Sequence, residues 1–151
     1  MKKFRFSLQT VHDLREARRD EAERTLAAAA RAVNEAAEQL EETDLVHERA
    51  TDSFASRLQS GEIDPFEAML SVNYLAALTR RKVETRARLR ELEQARERQR
   101  EMTIEAARSA ETTARLRQRQ NERHQLEVAR TEQQLLDEMA TLAQARLSTD
   151  E

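Results

Sequence analysis

One glycine, one proline, no cysteine and no tryptophan occur in the 151 residues. A compact domain of this length turns many times, and its turns draw on glycine and proline, which supply a left-handed or a fixed φ at little cost. A globular domain of packed strands or short helices is therefore excluded. The lone Gly61 also rules out the glycine-rich loops that cradle phosphates in nucleotide-binding folds. Without cysteine there is no disulfide, which fits a reducing compartment. No apolar run approaches the roughly 18 residues needed to span a bilayer, and Met1 to Leu14 lacks the apolar core of a signal peptide. A cytoplasmic chain with no transmembrane segment is the expectation. Twenty-six Lys and Arg stand against 29 Asp and Glu, a net charge of -3 that lacks the basic excess of a general nucleic-acid binder.

What remains is a sequence rich in Ala, Leu, Glu, Arg and Gln, the residues that lose least entropy in a helix. From Asp64 to about Leu147 it runs for some eighty residues without a glycine, a rod of about 120 Å if fully helical. The only convincing break is Ser60-Gly61-Glu62-Ile63-Asp64-Pro65-Phe66-Glu67. Gly61 suits a left-handed helix end, Pro65 suits a first helical position, and Asp64 with Glu67 has capping-box spacing. At the other end Ser7 is a candidate N-cap, with Phe6 and Val11 at staple spacing. These signals predict a single all-α domain over 1–151, two long helices in an antiparallel coiled-coil hairpin. Helix one covers about 8–59, a turn about 60–64 and helix two about 65–147, with the second overhanging the first. The final Ser148 to Glu151 is expected to fray.

The seam of helix one reads Val11, Leu14, Arg18, Ala22, Leu26, Ala29, Val33, Ala36, Leu40, Thr43, His47, Ala50, Phe54. After Leu26 the steps alternate three and four, a heptad, while the fours before it predict a stutter with less supercoil. A hairpin pivoting near Glu62 sets residue i beside about 124 minus i. Charge supports that register. Glu35, Glu38, Glu41, Glu42, Asp44 and Glu48 on helix one then face Arg80, Arg81, Lys82, Arg86, Arg88 and Arg90 on helix two. Between Glu93 and Gln125 the only large apolar residues are Met102, Ile104 and Leu116, so this middle section is expected to be the weakest and most flexible part of the seam. After about residue 118 helix two has no partner in helix one. Leu126, Ala129, Leu136, Ala140, Ala143 and Leu147 nevertheless read as a continuing seam, widened by Val128, Leu135, Met139 and Leu142. An unpaired helix with that face requires a partner: another protein, or a second copy of the chain.

Catalytic chemistry is not legible. His12, His47 and His124 are dispersed, and Asp44 with His47 is the one pair at a spacing that places two ligands on a helix face. The plainer reading, a polar seam residue beside a solvated carboxylate, is preferred because further inward carboxylates are missing. No metal, no cofactor and no enzymatic activity are expected. The basic stretch Arg80 to Arg100 reads first as a solvated face balancing helix one, and second as a surface for phosphates or an acidic membrane leaflet. No aromatic lies within it to stack a base. The apolar group Phe54, Phe66, Met69, Tyr74, Leu75 and Leu78 reads as packing that locks the hairpin end, with Tyr74 the member most open to a partner.

Three segments in order carry a resemblance. Phe4-Arg5-Phe6-Ser7-Leu8-Gln9 followed by Val11, Leu14 and Arg15 resembles the opening of the flagellar export stalk family FliJ. Tyr74-Leu75 with Leu78, and Leu135-Leu136-Asp137-Glu138-Met139-Ala140, are similar to later family patterns. The resemblance spans essentially the whole chain, and the stalk proteins of virulence-type secretion systems share the layout. It implies a non-enzymatic antiparallel coiled coil, similar to the central stalk of rotary ATPases. Such a stalk inserts its helical ends into the hexameric flagellar export ATPase, promotes ring assembly and activity, and contacts the cytoplasmic domain of the membrane export gate. The family is also linked to escorting export chaperones. The implied position is cytoplasmic and peripheral to the inner-membrane export apparatus, with the free protein a monomer. By position, Phe4, Phe6, Leu8, Val11, Leu126, Leu135, Leu136, Met139 and Leu142 would meet the ring, and Gln39, Val46, Tyr74 and Leu78 the gate. Thr43, Ala50, Arg81 and Thr85 stand where the family carries bulkier or differently charged residues. The competing reading is a self-associating coiled-coil adaptor or chaperone escort.

Overall fold

Two α-helices account for the described chain: α1, Gln9–Ser60, and α2, Pro65–Leu147. A computed structural model describes residues 4–61 and 63–147, with side chains to Leu142. The end expected to fray, Ser148 to Glu151, lies outside the described residues, as do the side chains of Ala143 and Leu147. No strand occurs among the described residues, and the fold is an all-α antiparallel hairpin.

The turn is built as its residues dictate. Gly61 takes φ 69°, the left-handed conformation that L side chains resist, and its amide donates to the Leu58 carbonyl at 3.4 Å. Asp64 then caps α2, its Oδ1 accepting from the amides of Phe66 at 2.7 Å and Glu67 at 2.9 Å. Glu67 does not complete a capping box with Asp64. Its carboxylate instead pairs with Arg57 on α1, tying the two helix ends together. At the start of α1 the backbone closes the first turn, Gln9 N donating to Phe6 O at 3.2 Å and His12 N to Leu8 O at 2.9 Å. The Ser7 hydroxyl, the expected cap, makes no hydrogen bond with the described residues.

Contacts divide the chain into two units, residues 21–104 and residues 1–20 with 105–151. In the first, the less exposed positions of α1 are Ala22, Leu26, Ala29, Val33, Ala36, Leu40, Thr43, His47, Ala50 and Phe54. They step by three and four, as knobs-into-holes packing requires. Those of α2 do the same, from Ala68, Ser71, Leu75 and Leu78 through Lys82, Thr85, Leu89 and Leu92 to Arg96, Gln99 and Thr103. Val33, Ala36, Thr43 and Leu78 are buried. Cross-helix bonds fix the register. His47 meets Thr79 at 3.1 Å, Asp44 meets Lys82 at 2.6 Å, and Thr103 Oγ1 lies 3.2 Å from the Ala22 carbonyl. Each lies close to the alignment of i with 124 minus i expected from charge.

In the other unit the seam differs from its sequence reading. His12, Arg15 and Arg19 are the positions turned inward, while Val11, Leu14 and Arg18 are exposed. The stutter expected from consecutive fours is absent, because the three-four spacing holds once polar residues occupy the seam. Two of them hydrogen-bond to α2, His12 lying 3.5 Å from the Thr113 hydroxyl and Arg15 Nη1 donating to the Ser109 carbonyl at 3.2 Å, while Arg19 pairs with Glu16 and Asp20 on its own helix. The facing positions of α2 are Ala106, Ala110 and Thr113. Ala110 and Thr113, 1% and 3% exposed, are the most buried of all described residues, inside the stretch expected to be thinnest.

Candidate interaction surfaces

The residues that the resemblance assigns to a ring fall into two groups, both in the unit of residues 1–20 and 105–151. Phe4 stacks at a tilt on His124, ring centroids 5.8 Å apart. Phe6 is buried and meets His12 edge-on at 6.4 Å, in place of the staple to Val11. Leu8 and Val11 are more than a third exposed, and with Leu116 they floor an open groove flanked by Arg15, Arg115 and Arg119. The sequence pointed to Arg15 only as part of the resemblance, and not to Arg115 or Arg119. The signal was present in the register, which sets Arg15 beside the turn of α2 that carries Ser109.

At the far end of α2 every residue from Ala129 to Leu142 is exposed. Leu126, Leu135, Leu136, Met139 and Leu142 show 58% to 67% of their surface. Their side of the helix matters. The positions facing α1 pass through Gln120 and His124. The series Leu126, Ala129, Leu136, Ala140 is two residues out of step with them, about half a turn around a helix of 3.6 residues per turn. The tip therefore prolongs the hairpin seam only in part: Val128, Leu135, Met139 and Leu142 keep the phase of His124, while Leu126, Ala129, Leu136 and Ala140 lie on the opposite side. The apolar surface of the tip is thus broad, with one part on the side that a longer α1 would have covered and another part away from it.

In the unit of residues 21–104, Val46 and Leu78 come together in a small groove with Glu42, Thr43 and Arg81. Gln39, two turns before Val46 on the same side of α1, is exposed, and Tyr74, one turn before Leu78, is 52% exposed. Thr43 is buried, and its hydroxyl donates to the Gln39 carbonyl at 2.8 Å. The four residues assigned to a gate thus share one side of the hairpin.

Asp44 and His47 do not converge on a common point as metal ligands would. Each reaches across to α2, Asp44 to Lys82 and His47 to Thr79, and no cluster of three His, Asp or Glu suited to a metal occurs among the described residues. The apolar group at the turn also departs from its expected role. Only Leu75 and Leu78 of α2 turn toward α1, whereas Phe66, Met69, Leu70, Val72 and Tyr74 are 51% to 64% exposed. Of the two charged flanks, Asp44 with Lys82 is the one cross-helix ion pair, and the remaining carboxylates and guanidiniums point to water.

A two-helix hairpin whose seam steps by three and four and whose apolar sides are exposed has the architecture of a coiled coil. The family model described as Flagellar FliJ protein matches residues 4–148. The chain belongs to that family and is thereby a flagellar export-related protein. No curated protein and no solved structure matches it. The family is not a known enzyme family, and no described helix is long and apolar enough to cross a membrane.

Proposed function

We propose that the protein is the non-enzymatic central stalk of the flagellar type III export apparatus. The observation that carries this reading is the tip of α2, an exposed helix with a bare apolar side that nothing in its own unit covers. Leu126, Leu135, Leu136, Met139 and Leu142 enter the pore of the hexameric export ATPase together with Phe4, Leu8 and Val11. Phe6, being buried, holds the N-terminal arm in place for that contact. A pore lined by six copies of one surface offers apolar partners all round a single helix, so the tip need not match any one subunit. Val46 and Leu78, with Gln39 and Tyr74 beside them, form the surface for the cytoplasmic domain of the membrane export gate. That position makes the protein a cytoplasmic one, peripheral to the export apparatus, with export chaperones as further partners.

Removing residues 126–151 tests the ring contact. The shortened hairpin should stay helical and no longer raise the ATPase activity of its cognate ring, and equal stimulation by both forms would overturn the insertion. The same bare side also favours a second reading, in which two copies bury their tips against each other as a self-associating adaptor. Sedimentation velocity at micromolar concentration separates the two: a monomer supports the stalk, and a stable dimer lost on truncation supports the adaptor.

A further inference from the structure

Within residues 21–104, α2 has an outward side that neither the hairpin seam nor the gate surface uses. Steps of three and four from Phe66 along that side reach Met69 and Leu70, then Ala76 and Ala77, then Arg80, Val83 and finally Arg90. Phe66 and Val83 are 64% and 61% exposed, and Met69 and Leu70 just over half. Arg80 and Arg90 on this side, and Arg86 at its edge, are exposed and have no ion-pair partner among the described residues. Glu84 and, beside Arg90, Glu91 are the carboxylates among them, since Glu67 is held by Arg57. The outward side of α1 in the same unit has the opposite character. The same steps there reach Glu35, Glu38, Glu41, Glu42 and Glu48, all exposed, and the exposed Leu45 and Arg49 are the exceptions to that character.

The hairpin of this unit therefore has one broad side that is apolar and basic and another that is mainly acidic. A partner must explain both features of the first side. Nucleic acid would satisfy the guanidiniums and leave Phe66, Met69 and Leu70 bare. A neutral apolar groove would satisfy those three and leave the arginines without counterions. An anionic lipid surface satisfies both, because interfacial helices set apolar side chains at the boundary of headgroup and acyl chain while arginines pair with lipid phosphates. The acidic side of α1 would then be repelled from the headgroups and point to water, which fixes the orientation.

We propose that the outward side of α2 from Phe66 to Arg90 is an interfacial contact for an anionic bilayer. It is distinct from the tip that the stalk reading assigns to the ATPase ring, so either can fail without the other. The test is co-sedimentation of the full-length chain with vesicles of phosphatidylethanolamine and phosphatidylglycerol, compared with phosphatidylcholine alone. The native chain should sediment with the anionic vesicles and at least fivefold less with the neutral ones, and added salt should release it. Arg80→Glu with Arg90→Glu, and separately Phe66→Ser with Leu70→Ser, should each cut binding at least fivefold while circular dichroism stays unchanged. Leu135→Ser with Leu136→Ser in the tip should bind as the native chain does. No binding to anionic vesicles, undiminished binding of both α2 variants, or loss only in the tip variant would overturn the proposal. So would a native dimer abolished by Phe66→Ser with Leu70→Ser, which would assign the side to a second copy instead.

Discussion

Histidine and threonine form matching rungs between the helices, and their chemistry sets a tautomer. The Thr79 hydroxyl has one proton, which it donates to the Leu75 carbonyl at 2.8 Å, so it receives the hydrogen from His47 Nε2. Thr113 likewise donates to Ala110 O at 2.8 Å and accepts from His12 Nδ1. Next to His47, the Oδ1 atom of Asp44 is shut off from solvent and faces Lys82 Nζ as its charge partner. Removing the lysine strands that oxygen. Lys82→Ala should lower stability by about 1 kcal/mol in urea unfolding, more than the loss of an exposed surface pair. A double-mutant cycle with Asp44→Ala should recover most of the loss, because the stranded group is then gone. Charge blocks in the sequence pointed to this part of the register. They did not single out Asp44 among six carboxylates, since only the phase of α1 against α2 turns that one inward.

For α2 as an element, large apolar residues proved a poor guide to tightness. Its middle has few of them, yet it packs closely because Ala106, Ala110 and Thr113 are small enough for the helices to approach. At that distance polar side chains reach the opposite backbone. Gln99 Nε2 donates to Ala22 O, Thr103 Oγ1 lies 3.2 Å from the same carbonyl, and Arg15 reaches Ser109 O. A seam of this kind is sensitive to volume rather than to hydrophobicity. Ala110→Leu adds apolar atoms at a position 1% exposed, and it should destabilise by about 1 to 3 kcal/mol through overpacking, measured as a lowered urea midpoint. A rise in stability would mean that the site has room, as a thinly packed shaft would. The turn shows the opposite mismatch: Phe66, Met69 and Leu70 are large and apolar and contribute little to the hairpin, because their positions fall on the outward side of α2.

At the scale of the whole molecule, stability and partner contact reside in different residues. The seam and its cross-helix bonds lie between His12 and His124, and the described residues from Ala129 onward bury almost nothing. Deleting residues 126–151 should therefore leave the urea midpoint nearly unchanged while the helical signal falls in proportion to the residues lost. A large drop in midpoint would show that the tip supports the hairpin, and would weaken its reading as a surface kept for a partner.

By itself the sequence determined the helical class, the single reversal at Gly61, the approximate register and the resemblance to FliJ. Each follows from local chemistry or from the sign of charge blocks: helix formers without breakers, a left-handed glycine followed by an Asp cap, and acidic residues set against basic ones. Tertiary structure alone decided which side of each helix is covered. It turned His12, Arg15 and Arg19 inward in place of Val11, Leu14 and Arg18, left Phe66, Met69 and Leu70 open to solvent, and set part of the apolar tip out of step with the seam. The physical reason is angular. One residue is about 100° around a helix, so the phase of the partner selects which residues are buried, and a polar residue in the correct phase with a hydrogen-bond partner displaces an apolar one beside it.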